Sequence, residues 1–175
     1  MAFKLDSVMA KKGIYIYQWP RPMVTVDVLV FGIFGELGDV DKVKLKGRTQ
    51  TKLLLIRRKK EPFKDKWAIP GGFVEMDEEL QDAAKRELAE ETGVKAVELE
   101  QLHTFGAVGR DPRGRQITVA FMCVIQGERI KAVAGDDAAG VRWFDILSLP
   151  EDMAFDHRKV AKYAIAKLPG KIIQA

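Results

Sequence analysis

The sequence predicts an α/β (α+β) sandwich, with helices covering a mixed sheet. Three observations point there. Runs rich in β-branched and aromatic residues recur at 23–34, 51–58, 95–108, 116–127 and 140–146. Two other segments, one after Pro70 and one near the C-terminal end, carry helical spacing instead. The two kinds are interleaved rather than grouped, which suits helices packed on a mixed sheet.

The elements follow in order. Residues 1–22 are mixed, end in Pro20-Arg21-Pro22 and read as an N-terminal arm or hairpin that includes Trp19; residues 23–175 then form one domain. MVTVDVLVFGIF (23–34) is a strand, and the polar, glycine-flanked 35–50 stretch is a loop. TKLLLIRR (51–58) is a second strand running into the basic Arg57-Arg58-Lys59-Lys60. EPFKDKWAIPGG reads as a loop, punctuated by Pro62, Pro70 and a double glycine. A helix follows, with Asp77 as its N-cap, Glu78 and Glu79 at the positive end of its dipole, and Leu80, Ala84 and Leu88 as its buried stripe. Gly93 stops it. KAVELEQLHTFGAV and QITVAFMCVIQG are strands split by the turn-rich GRDPRGR, and GVRWFDI is a further strand after AVAGDDAA. HRKVAKYAIAKL is an amphipathic helix. Trp67 and Trp143 belong to the core or a pocket wall.

Composition narrows the class. Of 175 residues, 47% are hydrophobic and 31% charged, the balance of a soluble globular protein. No apolar run approaches the roughly 18 to 20 residues of a membrane span, and MAFKLDSVMAKKG lacks the apolar core of a signal peptide. The expectation is a cytoplasmic protein without membrane contact. The single cysteine, Cys123, sits in an apolar run and reads as a packed hydrophobe. A formal charge of +4 is too small to imply nucleic-acid binding. The acids, however, gather at 75–91 while Arg and Lys cluster elsewhere, an arrangement suited to an anionic ligand carried on metal ions.

That acidic segment is the central puzzle. Glu87, Glu90 and Glu91 share one helix face, where like charges repel. A divalent cation removes the repulsion, and all-oxygen ligands select a hard ion, Mg²⁺ first and Mn²⁺ second. Arg86, four residues before Glu90, can hold that carboxylate by a charged hydrogen bond. Gly71-Gly72, lacking side chains, lets a backbone carbonyl approach the metal. Singly, these features also fit a solvated helix face and an ordinary turn; together they read as a metal site.

At these spacings the sequence resembles the Nudix hydrolases, whose box is G-x5-E-x7-R-E-U-x-E-E-x-G-U, with U a bulky aliphatic. Gly72, Glu78, Arg86, Glu87, Leu88, Glu90, Glu91, Gly93 and Val94 fill its fixed positions, and Trp67-Ala68-Ile69-Pro70 looks like the family's lead-in. The resemblance implies a Nudix-type α/β/α sandwich and a metal-dependent hydrolase of nucleoside diphosphates linked to another group. It also implies metal binding by Glu87 and Glu91 with help from Glu90, and by the carbonyl of Gly71. The general base varies within the family, so Asp136 or Asp137, before the last strand, stands beside Glu87 and Glu91 of the box. Asp137 or Glu91 is the preferred candidate to orient the attacking water.

Arg110, Arg113 and Arg115 sit with Asp111 on a tight turn, where guanidinium forks suit phosphate oxygens or flat rings. Arg57 and Arg58 are further candidates for phosphate contact. RDPRGR before an apolar strand, GDDA before Trp-Phe, and AFDH at 154–157 look like segments of ADP-ribose pyrophosphatases. That resemblance implies hydrolysis of ADP-ribose to AMP and ribose 5-phosphate, and a homodimer. His103 and His157 lack metal-ligand spacing and read as structural or surface histidines. Two alternatives remain. One is a Nudix hydrolase of another nucleotide, an oxidised nucleoside triphosphate or a sugar nucleotide. The other is a non-catalytic ADP-ribose-sensing regulator; the intact box and the chain's end at Ala175 make an enzyme the expectation.

Overall fold

Strand β1 (Met23–Phe34) is buried without interruption over residues 25–32. Burial on both faces marks a strand at the centre of a covered sheet. The computed structural model describes residues 18–35, 50–95, 97–129, 131–135 and 138–168. In it, β1 runs parallel to β6 (Gln116–Gln126), from Met23 opposite Gln116 to Ile33 opposite Gln126. The other edge of β1 is shared. Its C-terminal part pairs antiparallel with β2 (Gln50–Arg58), and its N-terminal part pairs antiparallel with β4 (Gly71–Phe73). The sheet therefore forks. Beyond the fork, β2 lies between β3 (Trp67–Ala68) and β7 (Ala138–Asp145), while β5 (Glu100–Phe105) pairs with β6 at the far edge. Among the described residues this is a mixed sheet of seven strands.

The period-two pattern sorts side chains to the two faces. Val26, Val28, Val30, Leu54, Val119 and Phe121 pack against Ala83, Ala84 and Leu88 of helix α1 (Leu80–Thr92). Leu29, Phe31, Leu53, Leu55 and Ala120 pack against Val160, Ala161 and Ala164 of helix α2 (His157–Ile165). The α/β/α layering expected from the sequence is therefore present. Trp143 lies against the α1-side core and Trp67 against the α2-side core. Cys123 is buried, and burial pushes its thiol up to about 12, so it is inert at neutral pH.

Several expectations shift. Helix α1 begins at Leu80, with Glu79 at the N-cap and no side-chain cap bond. Asp77 lies in the preceding turn, because the Glu75 N–H donates to Glu78 Oε1 at 2.8 Å and closes residues 75–78 on themselves. The segment expected to be a loop at 61–72 holds β3 and the start of β4, strands of two and three residues. Such short strands show no periodicity and form only because β2 and β1 supply partners. The strand expected over 95–108 is ladder-bonded only as β5. Val97 and Leu99 are instead buried against α1, and Gln81 Nε2 donates to the Leu99 carbonyl at 3.2 Å. Residues 1–17 of the expected 1–22 arm and most of the 35–50 loop (36–49) lie outside the described residues, as do Asp136 and Asp137.

Candidate active site

A cleft of about 440 Å³ opens at the fork. Its acidic wall is built by α1 and β4. Val28 N–H donates to the Pro70 carbonyl and Val74 N–H to the Val24 carbonyl, so ladder bonds fall on alternate pairs. The Asp27–Gly71 pair between them exchanges none. The Gly71 N–H therefore turns away from β1 and donates to Glu91 Oε2 at 2.9 Å, with its carbonyl free of that ladder. Gly71 has φ 155°, and a Cβ there would collide with the Val26 carbonyl. At Gly72 a Cβ would collide with the Glu87 carboxylate. The double glycine is thus the surface onto which both carboxylates fold.

Arg86 holds this wall together. Its guanidinium donates to both oxygens of Glu78 at 2.6 and 3.0 Å, to Glu87 Oε1 at 2.7 Å, to Glu90 Oε2 at 3.3 Å and to the Phe73 carbonyl at 3.1 Å. The hydrogen bond to Glu78 is the main reason Arg86 is held fully charged, with Glu87 adding to it. The same bond draws the Glu78 carboxyl below the usual range. Glu87 goes the other way. Burial pushes its carboxyl up, Arg86 opposes, and Glu90 and Glu78 add like-charge repulsion. Glu90 differs from its neighbours: its side chain is 60% exposed, held by Arg86, and lies outside the cleft wall. The three glutamates do not share one destination: Arg86 holds Glu87 and Glu90, while Glu91 accepts the Gly71 N–H.

The opposite wall is basic. Arg58 lines it, donating to the Pro62 carbonyl at 2.9 Å and lying 4.9 Å from the Phe155 ring centroid. Arg113 is held by a fork to buried Asp111, with Nη2 at 2.7 Å from Oδ2. Its guanidinium stacks on Phe73 and Phe155, 5.2 and 5.0 Å from their centroids. The other expected arginines do other work. Arg110 is buried in a two-point pair with Asp156, at 2.7 and 3.1 Å. Arg115 donates to the Gly106 and Ala107 carbonyls and closes its own hairpin. Arg57 points to Asp65, outside the cleft lining.

Sequence reasoning missed part of the cleft. Asp27, Thr25 and Gln116 form a polar floor, and Phe73 and Phe155 supply rings. His157 is structural, as read, yet it also lines the cleft: its Nδ1 accepts the Ile69 N–H at 2.9 Å. Burial pushes its pKa down, against Asp27 and Asp156, which favours the neutral ring, and the Ile69 N–H on Nδ1 leaves its proton on Nε2. Asp27 had a signal, a lone charge inside MVTVDVLVFGIF; Gln116 at a strand start had none. His103, by contrast, stacks on Tyr163 with centroids 4.8 Å apart, away from the cleft.

Among the described residues, no three His, Cys, Asp or Glu side chains form a ready-made metal cage. The oxygen donors that do converge, Glu87, Glu91 and the backbone of Gly71, suit a small hard ion that keeps several waters. The elevated proton affinity of Glu87 marks a carboxylate whose charge is under-compensated in the protein alone. The residues present fit a divalent cation.

The chain also resembles known proteins. A family model described as the NUDIX domain matches residues 43–164. An ADP-ribose pyrophosphatase of Methanocaldococcus jannaschii is 44% identical over 111 residues, 63% of this chain and 64% of that protein. The ADPR responsive transcriptional repressor NtrR of Acinetobacter baylyi is 33% identical over 156 residues, 87% of this chain and 57% of that protein. The chain thus spans less than two thirds of the length of either relative. Among solved structures, the NUDIX domain of Shewanella oneidensis NrtR complexed with ADP ribose has a TM-score of 0.68 at 30% identity, covering 86% of this chain and 91% of that one. A MutT/nudix family protein from Enterococcus faecalis has a TM-score of 0.71 at 30% identity, covering 92% and 70%. A match over residues 43–164, more than half of the chain, with every fixed position of the box in place, shows that the chain belongs to the NUDIX family.

Proposed function

We propose that the chain hydrolyses the diphosphate bond of ADP-ribose, giving AMP and ribose 5-phosphate, with Mg²⁺ as cofactor and Mn²⁺ as a substitute. The observation that carries this is the convergence of Glu87 and Glu91 on Gly71-Gly72, facing a basic wall across one cleft. Similarity to a pyrophosphatase and to an ADP-ribose-complexed domain supports the choice of ligand.

In this reading Glu87, Glu91 and the Gly71 carbonyl would hold the metal, with help from Glu90. A bound divalent ion supplies charge neutralisation and a more acidic water. Arg86 fixes the Glu87 carboxylate. Arg58 and Arg113 meet the phosphate charge, and the rings beside Arg113 offer a flat group a stacking surface. The water oxygen bonds to one phosphorus as the bridging P–O bond breaks, and its proton passes to Glu91 or Asp137. Asp137→Asn lowers turnover by about 10²-fold if it is that base; a loss under threefold excludes it. The protein acts as a homodimer.

Product analysis on ADP-ribose with Mg²⁺, with and without EDTA, tests the reading. AMP and ribose 5-phosphate should form only without chelator. A panel of sugar nucleotides, diadenosine polyphosphates and nucleoside triphosphates should be cut more slowly; preference for one of them would replace the substrate. A second reading, ligand sensing, is favoured by the 33% identity to a repressor over 156 residues. Tight ADP-ribose binding by calorimetry with no product after prolonged incubation would select it.

A further inference from the structure

Asp27 is a carboxylate with unspent bonding capacity. Its side chain is 8% exposed, it lines the cleft, and no hydrogen bond reaches its Oδ2. Two donors beside it stand off: Arg110 Nη2 at 3.7 Å from Oδ2 and His157 Nε2 at 3.8 Å from Oδ1. Neither closes in. Arg110 is committed to Asp156 at two points, and His157 is tethered through Nδ1 to the Ile69 N–H. A buried acceptor left without a donor costs stability, and a ligand that supplies one recovers it.

Its place in the sheet says which part of a ligand it meets. Asp27 is opposite Gly71 in a pair without ladder bonds, with Cα atoms about 4.5 Å apart. Gly71 carries the Glu91 contact, so Asp27 adjoins the acidic pair that the reading above gives to the diphosphate. A phosphate oxygen cannot pair with Asp27, since both are anionic acceptors. The group next to a phosphate ester in a nucleotide is a sugar, whose hydroxyls donate. The same face continues through Thr25 to Gln116, whose Nε2 is likewise buried and unpartnered.

We propose that Asp27 is a specificity residue that accepts a hydrogen bond from a sugar hydroxyl adjoining the diphosphate. The inference deepens the hydrolase reading and rests on it for the position of the diphosphate. The hydroxyl belongs to either ribose of ADP-ribose, and two analogues separate the sources: 2′,3′-dideoxyadenosine diphosphate ribose, which lacks both adenosine hydroxyls, and the methyl ester of ADP, which lacks the second sugar.

The test compares KM, kcat and Mg²⁺ affinity for ADP-ribose and both analogues, in wild type and Asp27→Asn. One of the two deletions should raise the wild-type KM at least tenfold, and the same deletion should change the Asp27→Asn value less than threefold. Asp27→Asn should raise KM for ADP-ribose with kcat within threefold and Mg²⁺ affinity unchanged. Equal losses on all three compounds, or weakened Mg²⁺ binding, would overturn the proposal. If Asp27→Asn does not fold, the wild type decides alone: KM values within threefold for all three compounds reject the subsite. Gln116→Met adds a stability readout. Removing a buried amide whose Nε2 has no partner should leave the melting temperature unchanged or raised, while a purely structural role for Gln116 lowers it. If wild type makes no AMP from ADP-ribose, the hydrolase reading fails, and calorimetric binding of the three compounds to wild type judges Asp27 separately.

Discussion

Arg86 shows how much one side chain organises here. Five donors in a rigid fork reach Glu78, Glu87, Glu90 and the Phe73 carbonyl at once. Lysine has neither the fork nor the reach. Arg86→Lys should therefore lower kcat about 10²-fold, and a thermal melt should show it less stable, by about 2 kcal/mol. Glu87 makes the opposite case. Burial already favours its neutral form, so the carboxylate costs stability for as long as no cation sits on it. Glu87→Gln should melt at or above the wild-type temperature in EDTA, yet lose activity by about 10³-fold. A clear drop in metal-free melting temperature would show that the Arg86 pair outweighs the burial cost. The box spacing made these residues legible; the use of Arg86 chiefly on Glu78 was not, because three carboxylates lie within its reach and only packing chooses.

At the scale of elements, α2 is docked by more than its apolar face. His157 in its first turn receives the Ile69 N–H, tying the helix to the segment that leads into Gly71. This bond needs an unprotonated Nδ1. The unfolded chain takes up a proton near the ordinary value of 6.5, while the buried ring resists it to a lower pH. Above 6.5 the two states bind the same number of protons and the contact is fully present. As pH falls below 6.5 toward the folded value, the unfolded state binds more protons and stability declines. Melting temperature should fall over that window, and His157→Gln should remove that component of the slope. On the other face, Leu88→Ala should cost about 2–5 kcal/mol in denaturant unfolding, since Leu88 is fully buried against β1 and β6. The long strands and both helices were readable because their periods are local. β3 and β4 were not, since strands of two and three residues exist only where a neighbour offers an edge.

At the scale of the molecule, the fork in the sheet is the functional device. β1 exchanges β2 for β4 partway along, and the resulting cleft gathers residues from the strands, α1, the 106–115 hairpin and the start of α2. Sedimentation equilibrium at micromolar concentration should return twice the 19.6 kDa chain mass; a single-chain mass would reject the proposed homodimer. The sequence by itself determined the layered class, the family and the acidic pair, because helix and strand periods and the box depend only on spacing along the chain. The tertiary structure alone decided which charges distant in sequence meet. Asp27, Arg110, Asp156 and His157 come together through the parallel register of β1 with β6 and the docking of α2. Nothing local to any of the four positions encodes that meeting, since a long-range ion pair is set by how elements pack and not by the spacing within them.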